Sequence, residues 1–417
     1  MKKTAVSILL ILAVCSFLFA AEEPAVIYND IDFTFSPTMT WYDSMGQSGL
    51  AKPERLDSFF TNPASIQGKG FRLDSPSFSL TFYNLEKLVS DPEAVDIFNK
   101  LIKGEASDQE KTKYMVKILD NLGSGHNLAA KADLGFSARI GSVGFGTNVQ
   151  LKLHSMNSGT NITSQTLIPE INITQTVGFG FRFINTDTLS LSAGASLHGV
   201  LKAYYKGIGA NKIITLFTSD ENLGTILMWG TPVMGGWALP FDLGVTLGLF
   251  DDTFTIAATA NNINGIYHMK SYTGTGYMLN REAPQDAPAR KDSVAFDLRT
   301  PWSLNFGVAF APKIGFFKPV VTLDFIDMFD LFKSFGSETF RASDLLLHMN
   351  FGAEIGLTDF VQLRAGVNRG FLSIGTGIWL KFAQLDVSYG WQEFGAELGD
   401  KPVDALTVRF ILGYDKK

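Results

Sequence analysis

A two-residue alternation of apolar and polar side chains recurs through most of this chain and restricts the folds open to it. Positions 143–154 read VGFGTNVQLKLH, with valine, phenylalanine and leucine on one face and glycine, asparagine, glutamine, lysine and histidine on the other. Successive side chains of a β-strand point to opposite faces, so this period predicts strand. The pattern returns at 177–183, 189–198, 241–249, 347–358, 361–368 and 406–414. The chain is therefore predicted to be all-β.

The alternation predicts about fourteen strands whose connections are sorted by length. The predicted strands are 76–83, 132–140, 143–154, 171–184, 189–202, 237–249, 253–261, 302–311, 317–326, 345–357, 360–368, 371–382, 385–391 and 404–414. Connections after even-numbered strands are short, and those after odd-numbered strands are long except at Arg369-Gly370. Short periplasmic turns and long outer loops are typical of outer-membrane barrels. We expect a closed antiparallel transmembrane β-barrel with both mature termini in the periplasm.

A soluble β-sandwich would also alternate, and the polar faces argue against it. They are rich in glycine, serine, asparagine and threonine, with charges at Arg182, Glu354, Arg364 and Arg409 that suit a wet or plugged lumen. Tyrosine and tryptophan fall near several strand ends, as in the aromatic girdles of membrane barrels. The membrane barrel is therefore favoured over the sandwich.

The first 21 residues are typical of a signal peptide, with Lys2 and Lys3 before an apolar stretch and Ala20-Ala21 before Glu22. Cys15 lies inside this peptide, so the mature chain has no cysteine and no disulfide. Loss of two lysines leaves 33 of the 35 basic side chains against 41 acidic ones, a net charge of −8. This balance argues against nucleic acid as a partner.

No catalytic or metal-binding motif is evident. The five histidines are far apart in sequence and are expected to be isolated lumen or loop residues: His126, His154, His198, His268 and His348. There is no H-E-x-x-H, G-x-S-x-G or phosphate-binding loop. We expect neither an enzyme nor a bound cofactor or metal.

The long loops are expected to contain short helices. Asp91-Pro92 can begin one helix, with Val95, Phe98, Leu101 and Ile102 as its buried face, and Ser107 with Glu110 forms a capping box for a second. A phenylalanine-rich stripe at 325–335 would pack on the barrel rim or form an apolar entrance. Candidate apolar ligand contacts in the loops and at strand ends are Phe98, Leu227, Met228, Trp229, Met234, Trp237, Phe329 and Phe332.

A stiff turn precedes the first predicted strand. In Asn62-Pro63-Ala64 the proline fixes its own φ and disfavours helix at Asn62. The tripeptide, together with FGAEIGLTDFVQLRAGVN and GTGIWLKFAQLDVSYGW near the C-terminus, resembles the FadL/TodX family of outer-membrane barrels. The chain also resembles FadL-like barrels of spirochaetes.

The resemblance implies a function and a domain division. Family members are fourteen-stranded barrels that take up long-chain fatty acids and other hydrophobic molecules, with an N-terminal hatch that carries an Asn-Pro-Ala motif. It therefore implies a hatch at 22–75, a barrel at 76–417, a location in the cell outer membrane and a monomeric state. The family's lateral exit uses a kink in the third strand, yet 143–154 is predicted to be unbroken.

Two functions remain open from the sequence. The first is a channel for hydrophobic small molecules such as long-chain fatty acids. The second is a non-transporting scaffold, an adhesin or a secretion-accessory barrel, because one fold serves several functions. A continuous apolar path through the lumen would favour transport, and a lumen filled with charged side chains would favour the scaffold.

Overall fold

The computed structural model describes residues 24–52, 56–68, 70–159, 161–218, 225–285, 287–315, 317–336, 340–395 and 397–416. The predicted signal peptide, 1–21, lies outside the described residues. The side chains at 215–218, 342 and 414–416 are also outside the description.

The described chain forms a closed antiparallel barrel of fourteen strands, which confirms the predicted fold class. Each strand pairs with its sequence neighbours, and β1 pairs with both β2 and β14, so the sheet closes on itself. The strands are β1 Phe71–Tyr83, β2 Gly125–Ile140, β3 Val143–Asn157, β4 Gln165–Asn185, β5 Leu189–Tyr205, β6 Val233–Ala238 with Phe241–Leu249, β7 Phe254–Ile263 with Ile266–Tyr272, β8 Ala295–Arg299 with Ser303–Phe310, β9 Val320–Phe325, β10 Met349–Gly356, β11 Val361–Asn368, β12 Phe371–Trp379, β13 Ala383–Glu393 and β14 Pro402–Lys416. A further two-residue strand, Ile208–Gly209, pairs with β4.

The distribution of apolar and polar side chains in the barrel is the reverse of that in a soluble domain. Large apolar side chains such as Phe179, Leu197 and Phe310 are about half exposed on the outer face. The inner face buries polar and charged side chains, among them Asn172, Asp324 and Arg364. An apolar outer band around a polar interior is the arrangement of a transmembrane barrel rather than of a soluble sandwich.

All fourteen predicted strands are present, with shifts at their ends. β1 begins at Phe71 rather than at 76, and β9 ends one residue early. The predicted strand 345–357 begins only at Met349, because a short helix occupies the residues before it. The short connections, apart from Arg369-Gly370 between β11 and β12, lie at the end of the barrel where β1 starts and β14 finishes, called here the turn end; the other end is the loop end.

Three adjacent strands are interrupted at one height of the barrel. β6 breaks at Leu239-Pro240, β7 at Asn264-Gly265 and β8 around Pro301, and the paired halves lie side by side above and below these breaks. A proline cannot donate to the ladder, which ends the pairing in β6 and β8. In β7, Asn262 and Asn264 take left-handed φ angles of 58° and 63°, a conformation that asparagine tolerates.

Helices occupy the N-terminal segment and the loops. They are α1 Thr40–Ser44, α2 Leu85–Val89, α3 Pro92–Lys103, α4 Asp108–Asn121, α5 Ala210–Thr218, α6 Thr275–Met278, α7 Met328–Phe335 and α8 Ala342–Leu347, with short 3₁₀ turns at Leu56–Phe60, Pro63–Ile66 and Ile162–Ser164 and a π turn at Ile226–Gly230. The Asp91 cap of α3 and the Ser107–Glu110 capping box of α4 form as predicted.

The buried face predicted for α3 is wrong. The helix buries Ala94 and Ile97, whereas Phe98 and Ile102 are 47% and 71% exposed. α3 packs on α4, and the half-exposed Phe98 ring stacks on Tyr114 of α4 with 6.1 Å between centroids.

Candidate functional site

The Asn62-Pro63-Ala64 turn lies against the inner face of the barrel wall. The Asn62 amide nitrogen donates to the Leu50 carbonyl at 2.9 Å and to the Thr246 hydroxyl of β6 at 3.0 Å. Its amide oxygen accepts from the Ala64 N–H at 3.0 Å and caps the following 3₁₀ turn. Asn62 is 1% exposed. The Asn62 side chain thus forms hydrogen bonds within its own turn, to the preceding residues of the N-terminal segment and to the barrel wall.

Glycines on three neighbouring strands make room for this turn. A Cβ on Gly194 of β5 would lie 2.8 Å from the Ala64 nitrogen and would also clash with the Pro63 carbonyl. A Cβ on Gly178 of β4 would lie 2.5 Å from Ile66, and one on Gly244 of β6 would strike the Asn62 amide. The inward glycines noted in the sequence therefore form a recess that the turn fills.

The rest of the N-terminal segment, 24–68, binds inward-facing polar side chains around the barrel. Asp324 of β9 accepts from the Gly49 and Leu50 N–H groups at 2.7 and 3.0 Å. Asp133 of β2 accepts from the Thr38 hydroxyl at 2.5 Å. These two strands lie far apart in the ring, so the segment crosses the lumen.

Ion pairs reinforce this crossing on the β10–β14 side. Arg409 of β14 donates to Asp57 at 2.5 Å, and the other oxygen of Asp57 accepts from the Trp41 indole at 3.1 Å. Lys52 pairs with Glu354, which also accepts from Arg364 at 2.6 Å. All five charged groups are at most 8% exposed at their side chains. Buried ion pairs that lose one partner leave an uncompensated charge, so these contacts hold the segment in place.

An apolar cluster near the loop end holds the start of the segment. Ile31 and Phe33 pack among Ile168, Tyr204 and Met269 of the wall. The Phe33 ring stacks on Tyr204 with 4.6 Å between centroids. This corner of the lumen is filled by the chain itself and combines the apolar cluster with the buried Lys202, whose ammonium lies 5.5 Å from the Phe33 ring centroid.

A cavity of about 740 Å³ lies beside the three strand breaks. Its wall includes Pro240 and Asp242 of β6, Asn262 of β7, and Pro301 and Trp302 of β8. Its inner side is the N-terminal segment, with apolar contributions from Phe35, Met39, Leu50 and Phe60. α7 closes one edge through Phe329, Asp330 and Lys333. The lining is therefore mixed, with apolar side chains on every side.

Side chains satisfy the backbone groups that the breaks release. Asp242 accepts from the Asn262 N–H at 2.7 Å, and the Asn262 amide donates to the Thr300 hydroxyl at 2.8 Å and to the Pro301 carbonyl at 2.7 Å. The Thr300 N–H donates to the Gly265 carbonyl at 2.8 Å. These side-chain and backbone hydrogen bonds therefore bridge the breaks in place of a continuous ladder.

The expectation of isolated histidines is wrong for two of them. His126 Nε2 and His154 Nδ1 lie 3.0 Å apart on the paired strands β2 and β3, and His154 Nε2 lies 2.6 Å from Glu170. Glu170 also accepts from Lys202. Cross-strand register brings these residues together, and a sequence without a known register does not show it. Within the described ranges, no group of three or more histidine, cysteine or acidic side chains is arranged to hold a metal ion.

Asp43 of α1 is a titratable group of the segment that changes charge near neutral pH. Burial raises the pKa of its carboxyl from 3.8 to about 6, although Lys131 of β2 favours the ionised form. Gln47 donates to it at 3.4 Å, and the charges of Asp133 and Arg409 also act on it. Ionisation of Asp43 therefore costs free energy when the segment is docked.

The eight candidate ligand contacts do not form one pocket. Phe329 lines the cavity, and Met234 belongs to the buried cluster around Phe33. Trp237 faces outward and is 48% exposed, and Phe332 is 59% exposed on α7. The remaining four lie in loop helices: Phe98 on α3 and Leu227, Met228 and Trp229 in the π turn.

Sequence reasoning missed the cavity residues at the strand breaks. Pro240, Pro301 and the sequence NNIN at 261–264 carried the signal, because proline and asparagine interrupt strands. None of the described helices is both long enough and apolar enough to cross a membrane.

Comparison with known proteins gives structural neighbours alone. No family model and no curated protein matches the sequence. The CymD monoaromatic hydrocarbon channel is 12% identical, with 90% of this chain and 97% of that chain covered and a TM-score of 0.47. The Ralstonia pickettii toluene transporter TbuX is 11% identical over 91% and 98%, and a Pseudomonas aeruginosa FadL homologue is 11% identical over 92% and 100%, each with a TM-score of 0.45. Because these sequence identities and TM-scores are low, the fold assignment rests on the strand pairing described above.

Proposed function

We propose that this chain is an outer-membrane channel that admits hydrophobic small molecules, such as long-chain fatty acids, and acts as a monomer. The observation that carries the proposal is the cavity beside the breaks in β6, β7 and β8. A closed barrel has no need to interrupt three adjacent strands at one height, and each interruption forfeits ladder bonds. In this proposal, the breaks give the solute a route through the wall.

The content of the lumen supports a sideways route. A path straight to the turn end would cross the ion pairs of Asp57 with Arg409 and of Lys52 with Glu354. An apolar solute placed there would leave those charges poorly solvated. A route from the loop end into the cavity and out at the β6–β8 breaks avoids them. The third strand, which carries the exit of the family that the sequence resembles, is continuous here from Val143 to Asn157.

The driving force for uptake would be burial of the solute's apolar surface. Each methylene removed from water contributes about 0.8 kcal/mol. Phe35, Met39 and Leu50 on the N-terminal segment offer such burial at the cavity. In this proposal the segment is a hatch, with the Asn62-Pro63-Ala64 turn as its fixed point.

A second function is favoured by one specific observation. The N-terminal segment and its buried charges occupy much of the lumen, which is the arrangement expected of a non-transporting scaffold. The two functions differ in what loss of the protein does. A channel deletion abolishes uptake of the solute, and a scaffold deletion leaves uptake unchanged.

The test is uptake of radiolabelled oleate and toluene by a deletion strain carrying variants that fold equally well. Ser303→Trp places a large ring at the cavity, and Ser124→Trp places the same ring in an exposed loop. For a channel, wild type and Ser124→Trp restore uptake and Ser303→Trp does not. Equal uptake by the deletion strain and by all complemented strains would exclude transport of these solutes and favour the scaffold.

A further inference from the structure

A second cavity, called here the seam cavity, lies on the other side of the N-terminal segment from the cavity at the strand breaks. Its volume is about 120 Å³, and its wall comes from β1, β2 and β11–β14. Five residues of the segment line both cavities: Ser36, Pro37, Met39, Tyr42 and Gln47. This stretch of the segment therefore separates the two cavities.

The wall of the seam cavity consists largely of short polar side chains. The strand register places Ser388 of β13 beside Thr407 of β14, and Thr407 beside Thr81 of β1. Asn368 is the last residue of β11, next to the turn at the loop end, and Ser373 lies on β12. Hydroxyl and amide groups from five strands thus surround one small space.

Three of these buried side chains have no hydrogen-bond partner in the protein. Asn368, Ser373 and Ser388 are 5%, 5% and 4% exposed. The Asn368 amide oxygen accepts no hydrogen bond, and within the described ranges neither serine hydroxyl is bonded to another residue. Buried polar groups nearly always have a partner, either in the protein or in an ordered small molecule such as water. The three groups therefore point to a hydrogen-bonding molecule in the cavity.

The lining restricts the chemical class of that molecule. The two charged side chains at the cavity, Asp43 and Lys131, have opposite signs, so the lining does not select an ion. An apolar solute would leave the three unpaired groups without a partner, which is unfavourable. A polyol of three or four carbons fits a cavity that has room for several water molecules. Its hydroxyls replace those waters while they keep the hydrogen bonds.

We propose that the seam cavity is a binding site for a small neutral polyol, with Asn368, Ser373 and Ser388 as its hydrogen-bonding groups. The position of Asn368 beside the β11–β12 turn places the site near the loop end, where a solute from outside arrives first. The inference does not rest on the proposed channel for hydrophobic molecules, because the wall strands of the seam cavity are not those that carry the breaks.

The test measures protection of single thiols in the full mature chain, which has no other cysteine, in phosphatidylcholine vesicles. Ser388→Cys lies in the seam cavity, and Ser303→Cys is the matched control in the cavity at the strand breaks. The reagent is methyl methanethiosulfonate, which is small and uncharged. With erythritol at about twice its Kd, modification of the Ser388→Cys thiol should slow about threefold. The Ser303→Cys thiol should react at an unchanged rate, and sucrose, which is too large for the seam cavity, should slow neither reaction.

Asn368→Leu in the Ser388→Cys chain removes one hydrogen-bonding group and should abolish protection by erythritol without changing the rate measured in its absence. Fast modification that erythritol does not slow would show that the cavity holds water only and would overturn the proposal. No modification without polyol would also overturn it, because a ligand could not enter, as would equal slowing at both positions. Ser373→Cys repeats the measurement if the Ser388 variant does not fold, and the same protection is required there.

Discussion

Replacement of Asn62 by alanine should undock the N-terminal segment without dismantling the barrel. The change removes the partner of two buried backbone groups, the Leu50 carbonyl and the Ala64 N–H, while the Thr246 hydroxyl is free to rotate. A buried group left without its hydrogen bond costs about 1–3 kcal/mol. Two such groups weaken docking by roughly 2–6 kcal/mol, which raises the undocked population roughly 30- to 20,000-fold.

Single-channel recording in planar bilayers measures this population as open time. We expect Asn62→Ala to show long-lived openings that wild type shows rarely, with an unchanged heat-induced shift of the barrel on gels. Asn99→Ala on the exposed face of α3 is the matched control and should behave as wild type. Identical recordings for Asn62→Ala and wild type would refute the claim that this side chain fixes the segment.

Three further predictions concern the glycine recess, the charge of Asp43 and the orientation of the barrel. Gly194→Ala should raise the conductance, because the added methyl group clashes with the Pro63 backbone. Gly199→Ala on the same strand is the control and should leave the conductance unchanged, because its methyl group meets no atom closer than 3.8 Å. Equal conductance of the two variants would count against the recess. The open time of the wild-type channel should rise between about pH 4 and pH 7. The Asp43 carboxyl has a pKa of about 6 in the docked segment and 3.8 as its ordinary value, so the docked state binds the proton more tightly. Docking therefore weakens as the pH rises and the carboxyl ionises. Asp43→Asn should weaken that dependence, and an unchanged one would assign it to another group. Ser124→Cys should react with an impermeant maleimide on intact cells, while a cysteine in the short β10–β11 turn reacts after disruption; the opposite order would invert the topology.

The strands were predictable because a barrel repeats one simple constraint. Each strand must turn apolar side chains to lipid and polar ones to the lumen, so the period of two is visible without any knowledge of pairing. The strand ends were less predictable, as at Met349, where the apolar run LLL before it forms the end of α8 instead. The helix caps at Asp91 and Ser107 were visible because their bonds are local.

The candidate site was less predictable because its contacts are distant in sequence. The Asn-Pro-Ala turn was recognised as a turn, but its recess is made by glycines on β4, β5 and β6, more than a hundred residues away. The proximity of His126 and His154 depends on the register of β2 and β3. The breaks at Pro240 and Pro301 were locally visible, yet the cavity arises only because three breaks fall at one height.

The segment that crosses the lumen imposes an order on how the molecule is assembled. Asp57 is bound by Arg409, 352 positions later, and Gly49 by Asp324, 275 positions later. Contacts between residues so far apart in sequence form late in folding, because closing a long loop costs conformational entropy before the contact contributes any stabilisation. The seam between β1 and β14 brings Arg409 into place as it closes. The N-terminal segment is synthesised first, yet its contact with Arg409 forms only when β1 and β14 pair and close the barrel. A chain ending before Pro402 would therefore lose both the β1–β14 pairing and the Arg409 contact that holds the segment.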